Sequence, residues 1–219
     1  MLVEGGSLKW TDGHLEENVG WVYGLLTLNT EVELVRLVMR DFQTVNANSR
    51  PIGLLGGNHE VHNLLAYDVD ATGFGVLLSS SYDDGGGTLF LNNSVIEVPT
   101  DSIGVYHSGA SATVTNTILF NVDGGNAVGV SDIPINASVR YTDFSSMTCD
   151  WYRNAEGCVD YDEGDGNLAA DPRFEDASGD FHLDEFSPCV DAGDPSSVYE
   201  DPDGSRNDLG IYGGPHGAW

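Results

Sequence analysis

Apolar and polar positions along this chain alternate in short runs, and two units recur. The first is an apolar residue, a glycine and a second apolar residue: Ile52-Gly53-Leu54, Phe74-Gly75-Val76, Ile103-Gly104-Val105 and Val128-Gly129-Val130, with an earlier copy at Val19-Gly20-Trp21. From Gly53 onward these glycines lie 22, 29 and 25 residues apart. Between them runs a second unit, strand-like residues around an asparagine: His62-Asn63-Leu64-Leu65, Asn92-Asn93-Ser94-Val95 and Thr115-Asn116-Thr117-Ile118. Flanking copies without the asparagine are Arg36-Leu37-Val38 and Arg140-Tyr141-Thr142. Two series that advance in step at this period indicate a solenoid of about five coils, in which no coil buries its apolar face alone.

Stacking such coils predicts one inward column of Ile52, Phe74, Ile103 and Val128 and another of Leu54, Val76, Val105 and Val130. Strand alternation then turns the intervening glycines outward. Asn63, Asn93 and Asn116 would form a ladder, each amide bonding its counterpart one coil away; ordinary turn residues are the alternative. The polar run from Ser79 to Gly87 reads as a surface loop that lengthens one coil. From Cys149 the spacing fades and Asp-Pro turns take over at Asp171, Asp194 and Asp201, so residues 1–148 read as coils and 149–219 as a final coil with an acidic, loop-rich cap. Phe174, Phe181, Leu183 and Val190 supply the cap's apolar positions.

The C-terminal third carries a resemblance. Asp171-Pro172-Arg173-Phe174, Ser178-Gly179-Asp180-Phe181-His182-Leu183, Ser187-Pro188-Cys189-Val190-Asp191-Ala192-Gly193-Asp194-Pro195 and the stretch from Asp201 to Gly214 resemble the end of secreted bacterial right-handed parallel β-helix proteins. This is the pectin-lyase-like class, in its "choice-of-anchor" surface form. The resemblance implies an all-β right-handed parallel β-helix and an extracellular or cell-surface location. It does not imply a reaction.

Composition narrows the partners. A formal charge of −27 disfavours nucleic acid, anionic membranes and polyanionic glycans, leaving cations, neutral polysaccharide or a surface protein. No apolar run approaches the ~20 residues of a membrane-spanning helix, so direct membrane insertion is not expected. The amino end lacks the basic and apolar regions of a signal peptide, and no sorting tail follows. Cys149, Cys158 and Cys189 allow one disulfide, Cys149–Cys158 across a short polar loop or Cys158–Cys189. Asn136-Ala137-Ser138 formally matches an N-glycan acceptor.

Candidate chemistry is sparse. Asp201, Asp203 and Asp208 around Gly204 could aim oxygens at Ca²⁺, but Arg206 stands where a further ligand would be. The competing expectation is that Arg206 bonds these aspartates and locks the cap. Asp160 to Gly166 is a weaker calcium candidate. The resembling family's lyases use an Arg or Lys base and its hydrolases clustered aspartates beside Asn-Thr-Asp, Gly-His-Gly and Arg-Ile-Lys motifs. The outward positions expected here, Leu55, Leu77, Tyr106 and Ser131, carry none of that chemistry. His59 and His62 beside Glu60 fall on opposite strand faces, and with His107 read as surface or turn residues. Trp21, Tyr23, Tyr67 and Tyr106 could stack on sugars or simply pack. These features predict a non-catalytic structural, adhesive or glycan-binding scaffold; the alternative is a carbohydrate-active enzyme, lyase or hydrolase, or the C-terminal part of one.

Overall fold

A computed structural model of the chain describes all residues except 17–22, 44–49, 71–74, 81–86, 125, 133–136, 154–156 and 160–164, and leaves aside the side chains of 132, 151 and 153. Parallel sheets wind into a β-solenoid of about five turns, with almost no helix. One sheet stacks β1 (Leu2–Glu4), β3 (Tyr23–Leu28), β5 (Arg50–Leu55), β8 (Leu77–Ser80), β11 (Ser102–Ser108), β13 (Ala127–Asp132) and β15 (Cys149–Arg153). The other stacks β2 (Ser7–Leu15), β4 (Glu31–Phe42), β6 (Asn58–His62) with β7 (Leu65–Val69), β9 (Thr88–Asn92) with β10 (Val95–Glu97), β12 (Ser111–Phe120) and β14 (Ala137–Ser145).

A column of left-handed residues runs the length of the second sheet: Asp12, Arg36, Asn63, Asn93, Asn116 and Tyr141 have φ between 46° and 54°. The ladder passes over them, pairing Thr115 with Arg140 and then Thr117 with Thr142. Asn and Asp tolerate this conformation because their short polar side chains bond locally. The column bends every turn at the same place and divides the sheet into two strips, so a turn presents three faces.

The core is a stack rather than a cluster. Leu25, Ile52, Leu77, Val105 and Val130 pair in successive rungs of the first sheet, and each is fully buried. The expected columns hold only in part: Val105 pairs with Val130 as expected, and the earlier members shift register. Ile52 stacks on Leu77, and Leu54 on Ser79 rather than Val76. Ile103 does pair with Val128, but both are half-buried on the outward side. Phe74 and the Val19-Gly20-Trp21 copy lie outside the described residues. Aligning on glycine misled because a residue without a side chain does not set register; the residue that fills the interior does.

The glycines themselves divide between two roles. Gly53 faces outward, where a Cβ would stand 2.5 Å from Tyr23 Cε1. Gly104 and Gly129 face inward, where a Cβ would meet Val98 at 2.9 Å and Phe144 at 2.7 Å. They are absent side chains that admit large ones from the opposite strip.

The expected loop at 79–87 is corrected in part, since Ser79 and Ser80 belong to β8 and Ser79 is fully buried; residues 81–86 are outside the described set. The far end is closed by β16 (Gly157–Val159), antiparallel to β15 and tied to it by the Cys149–Cys158 disulfide. Asn167 and Leu168 add a short rung over β14, Leu168 exchanging backbone bonds with Thr142 and Phe144. Such closure removes an open strand edge.

Residues 171–219 do not seal that end. They contain β17 (Phe174–Asp176), β18 (Asp180–Leu183) and a run of turns, and they travel back along the flank as a strap over the second sheet's later strip. The apolar residues facing outward there, Val38, Leu65, Val95, Ile118 and Phe120, form a second core with Phe181, Cys189, Leu209 and Ile211.

Candidate functional site

The asparagine column is where strap and solenoid meet. Asn63 Nδ2 donates to the carbonyls of Ile211 (2.6 Å) and Gly213 (3.0 Å). Asn93 Nδ2 donates to Asn207 Oδ1 (2.7 Å) and to the carbonyls of Asp208 and Gly210. Asn116 Oδ1 accepts from the Asp194 amide at 2.7 Å, and the Asn116 carbonyl accepts from the Gly210 amide. One inter-coil bond of the expected kind exists, Asn116 Nδ2 to Asn92 Oδ1 at 2.8 Å, and it uses Asn92 rather than Asn93. The ladder is thus corrected to a rail. Left-handed backbone throws these amides outward, where they satisfy the carbonyls of a segment that has no strand partner of its own. Gly214, at φ +71°, lets that segment approach Asn93 closely; a Cβ there would stand 2.5 Å from Asn93 Oδ1.

The candidate calcium ligands have other partners. Asp201 Oδ1 accepts from the Gly214 amide at 2.5 Å and Oδ2 from the Asp208 amide at 3.0 Å. Asp208 Oδ1 accepts from the Asp191 amide at 2.7 Å, while exposed Asp203 bonds Ser205 through both its amide and its hydroxyl. Burial, opposed by those amide bonds, pushes the Asp201 carboxyl up to about 6 and raises Asp208 as well. Arg206 does not bond these aspartates. Its guanidinium donates to the carbonyls of Gly193 (2.8 Å) and Ala192 (3.3 Å), fastening one strap turn to another. Among the described residues no three His, Cys, Asp or Glu side chains converge as a metal set, and Asp160 to Gly164 lie outside them.

The histidines separate as strand geometry requires, His59 inside and His62 outside, yet His59 and His107 are core residues rather than surface ones. His59 Nε2 lies 3.0 Å from the Gly56 carbonyl, and burial lowers its pKa. His107 Nε2 accepts from the Gly109 amide at 3.2 Å. His62 packs against the rings of Phe90 (5.5 Å) and His216 of the strap (5.3 Å), and burial followed by His216 lowers its pKa.

On the first sheet, the outward column reads Leu26, Gly53, Leu78, Tyr106, Ser131 and Tyr152. Tyr106 and Ser131 stand as expected, whereas Leu77 belongs to the interior stack. Tyr106 is half-buried and Tyr152 is 40% exposed. Of the other stacking candidates, Tyr23 covers Gly53, Tyr67 lies under the strap 5.0 Å from Phe181, and Trp21 is outside the described residues.

Two buried groups escaped the sequence. Asp143 is fully buried, with its Oδ1 accepting from the Ala170 amide at 2.9 Å and Oδ2 facing the thiol of Cys189 at 3.8 Å. Burial pushes Asp143 up to about 7 and the Cys189 thiol far above its usual range. The signal was available: Thr142-Asp143 aligns with Thr117-Ile118, an acid at a column position that is otherwise apolar. Compared with known protein families, curated proteins and solved structures, the chain shows no significant match.

Proposed function

We propose that this chain is an extracellular or cell-surface scaffold of the pectin-lyase-like kind that binds a neutral polysaccharide or a surface protein along its first sheet without transforming it. The observation that carries this reading is the outward column in which Tyr106 and Tyr152 flank Ser131. Successive rungs are about 4.8 Å apart, so the two rings stand about 10 Å from each other along the axis, with buried Ser131 between them. An extended sugar chain lying along the rod would meet one ring and then the second in order. The charge of −27 favours a neutral ligand over an anionic one.

Two further observations support the reading. The Cys149–Cys158 disulfide suits an oxidising compartment. The most strongly perturbed carboxyl among the described residues, Asp143, sits beneath the strap, and His59 and His107 face the interior, so these groups do not line an open face where a substrate would react.

The test is affinity for a panel of neutral polysaccharides by glycan array and co-sedimentation. Tyr152→Ala is expected to weaken binding about two- to tenfold, since an aromatic contact contributes roughly 0.5–1.5 kcal/mol beyond its area. Unchanged binding of the variant, or no retention of wild type by any glycan or surface protein, would refute the proposal. Release of unsaturated or reducing sugars would replace it with the enzymatic reading.

A further inference from the structure

Along the strap-covered strip, the outward column begins with Val38 and continues through Leu65, Val95 and Ile118. All four are buried under the strap. At the next rung the column places Asp143, paired in register with Ile118. An ionised carboxylate there would be removed from water with no cation among the described side chains acting on it. The amide of Ala170 meets one oxygen, and the other meets the sulfur of Cys189, a weak donor. Other charges reaching this site are of the same sign: Asp150 from β15, Asp171 from the segment entering β17, and Asp208, which acts on Cys189 from the strap. The described arginines around this site are engaged elsewhere: Arg140 of β14 is exposed and acts on Tyr199, Arg173 pairs with Asp184, and Arg206 bonds the carbonyls of Ala192 and Gly193.

We propose that the strap is a proton-held latch: Asp143 is protonated when the strap is docked, and its ionisation loosens the segment around Cys189 and uncovers the apolar column from Val38 to Ile118. Burying a lone carboxylate costs far more than burying a carboxylic acid that can donate its proton, so the docked form binds a proton that the open form releases. The sign follows. The docked Asp143 carboxyl is raised from 3.8 to about 7, so docking is strongest below the ordinary carboxylate range and weakens as pH rises through neutrality. The His62–His216 contact at the strap's distal end works in the opposite sense, because burial, and then His216, lowers the pKa of His62, so protonating it in acid disfavours the docked form. The latch therefore has a closed range bounded on the acid side by histidine and on the neutral side by Asp143, with the raised carboxyls of Asp201 and Asp208 in the strap acting in the same sense as Asp143.

The experiment is hydrogen exchange of the full chain, followed by mass spectrometry over peptides from 187–214 and corrected for the intrinsic pH dependence of amide exchange. Strap protection in the wild type is expected to fall roughly tenfold or more from about pH 5.5 to about pH 8, whereas peptides from β5, β8 and β11 keep theirs. Asp143→Asn, which cannot ionise, is expected to lose most of that slope. A wild-type strap whose protection is independent of pH, or a variant that keeps more than half of the slope, overturns the proposal. Should Asp143→Asn fail to fold, carbon NMR titration of the Asp143 carboxyl in the wild type decides: a midpoint near neutrality supports the latch, and one near 4 refutes it.

Discussion

The solenoid interior and the strap interface are both fully buried, yet they are built on different principles. Inside, Leu25, Ile52, Leu77, Val105 and Val130 repeat one solution, each touching its equivalent a turn above and below. Stability there is a sum of like neighbours. Under the strap, each rung is joined to a chain segment far away in sequence, Asn63 to Ile211 and Asn93 to Asn207. There the bonds are largely side chain to backbone, and buried carboxyls sit among them. Repetition gives a rod held mainly by like apolar neighbours, whereas the single unrepeated pass of the strap concentrates polar chemistry. If this protein has a moving part, it is the strap.

The largest expected effect tests the interior. Leu77→Ala removes a fully buried side chain between Ile52 and Val105 and is expected to cost about 2–5 kcal/mol by denaturant unfolding, with the whole solenoid affected. A loss well under 1 kcal/mol would mean that the stack can collapse locally and is less tightly fitted than the register implies.

Asn93→Ala attacks the rail. It strips Asn207 and the carbonyls of Asp208 and Gly210 of their buried donor, an effect of about 1–3 kcal/mol. Because the rod does not depend on the strap for its own ladder, the loss should appear as faster hydrogen exchange in residues 205–214 with little change in β5, β8 and β11. Equal loss in both regions would show that the two cores unfold as one unit and erase the distinction.

A smaller effect separates protons from metal at the strap's acidic turn. Burial raises the Asp201 carboxyl from 3.8 to about 6, so its contribution to stability is fully present below 3.8 and is lost as pH rises through about 6. At fixed pH, millimolar Ca²⁺ against EDTA should leave the unfolding midpoint nearly unchanged, because Asp201 and Asp208 are committed to amides. A rise of many degrees would require binding to the folded state and would make Asp201, Asp203 and Asp208 a calcium site after all.

The smallest expected effect is at the exposed end of the rod. Arg36 pairs with Asp12 across one turn in water, with a 2.5 Å contact. Arg36→Gln should leave the midpoint within error at physiological salt, since exposed pairs are screened and cost side-chain entropy to hold. A clear shift there would show that the inter-coil ion pairs, and not only the apolar stack, set the pitch of the coils.

The sequence by itself determined the repeat. Glycine and asparagine recurring at intervals of 22 to 30 residues, set among short β-branched and leucine-rich runs, are satisfied by coils that stack, and the structure has about five turns. It determined that Asn63, Asn93 and Asn116 are equivalent, because asparagine tolerates the left-handed bend each turn needs. It narrowed the disulfide to Cys149–Cys158 or Cys158–Cys189, and the structure forms the first, across a sequence separation of 9. Tertiary structure decided the rest. Periodicity names which residues recur but not which of them fills the interior, so Ile52 met Leu77 rather than a residue of the Phe74-Gly75-Val76 unit. The destination of the last 49 residues, 171 to 219, was likewise invisible, because turns and Asx bonds specify a local path and carry no address. That address was written on the solenoid, in outward apolar residues and outward amides that only a folded rod brings into line, and Asp143 acquired its buried environment only when the strap lay down over it.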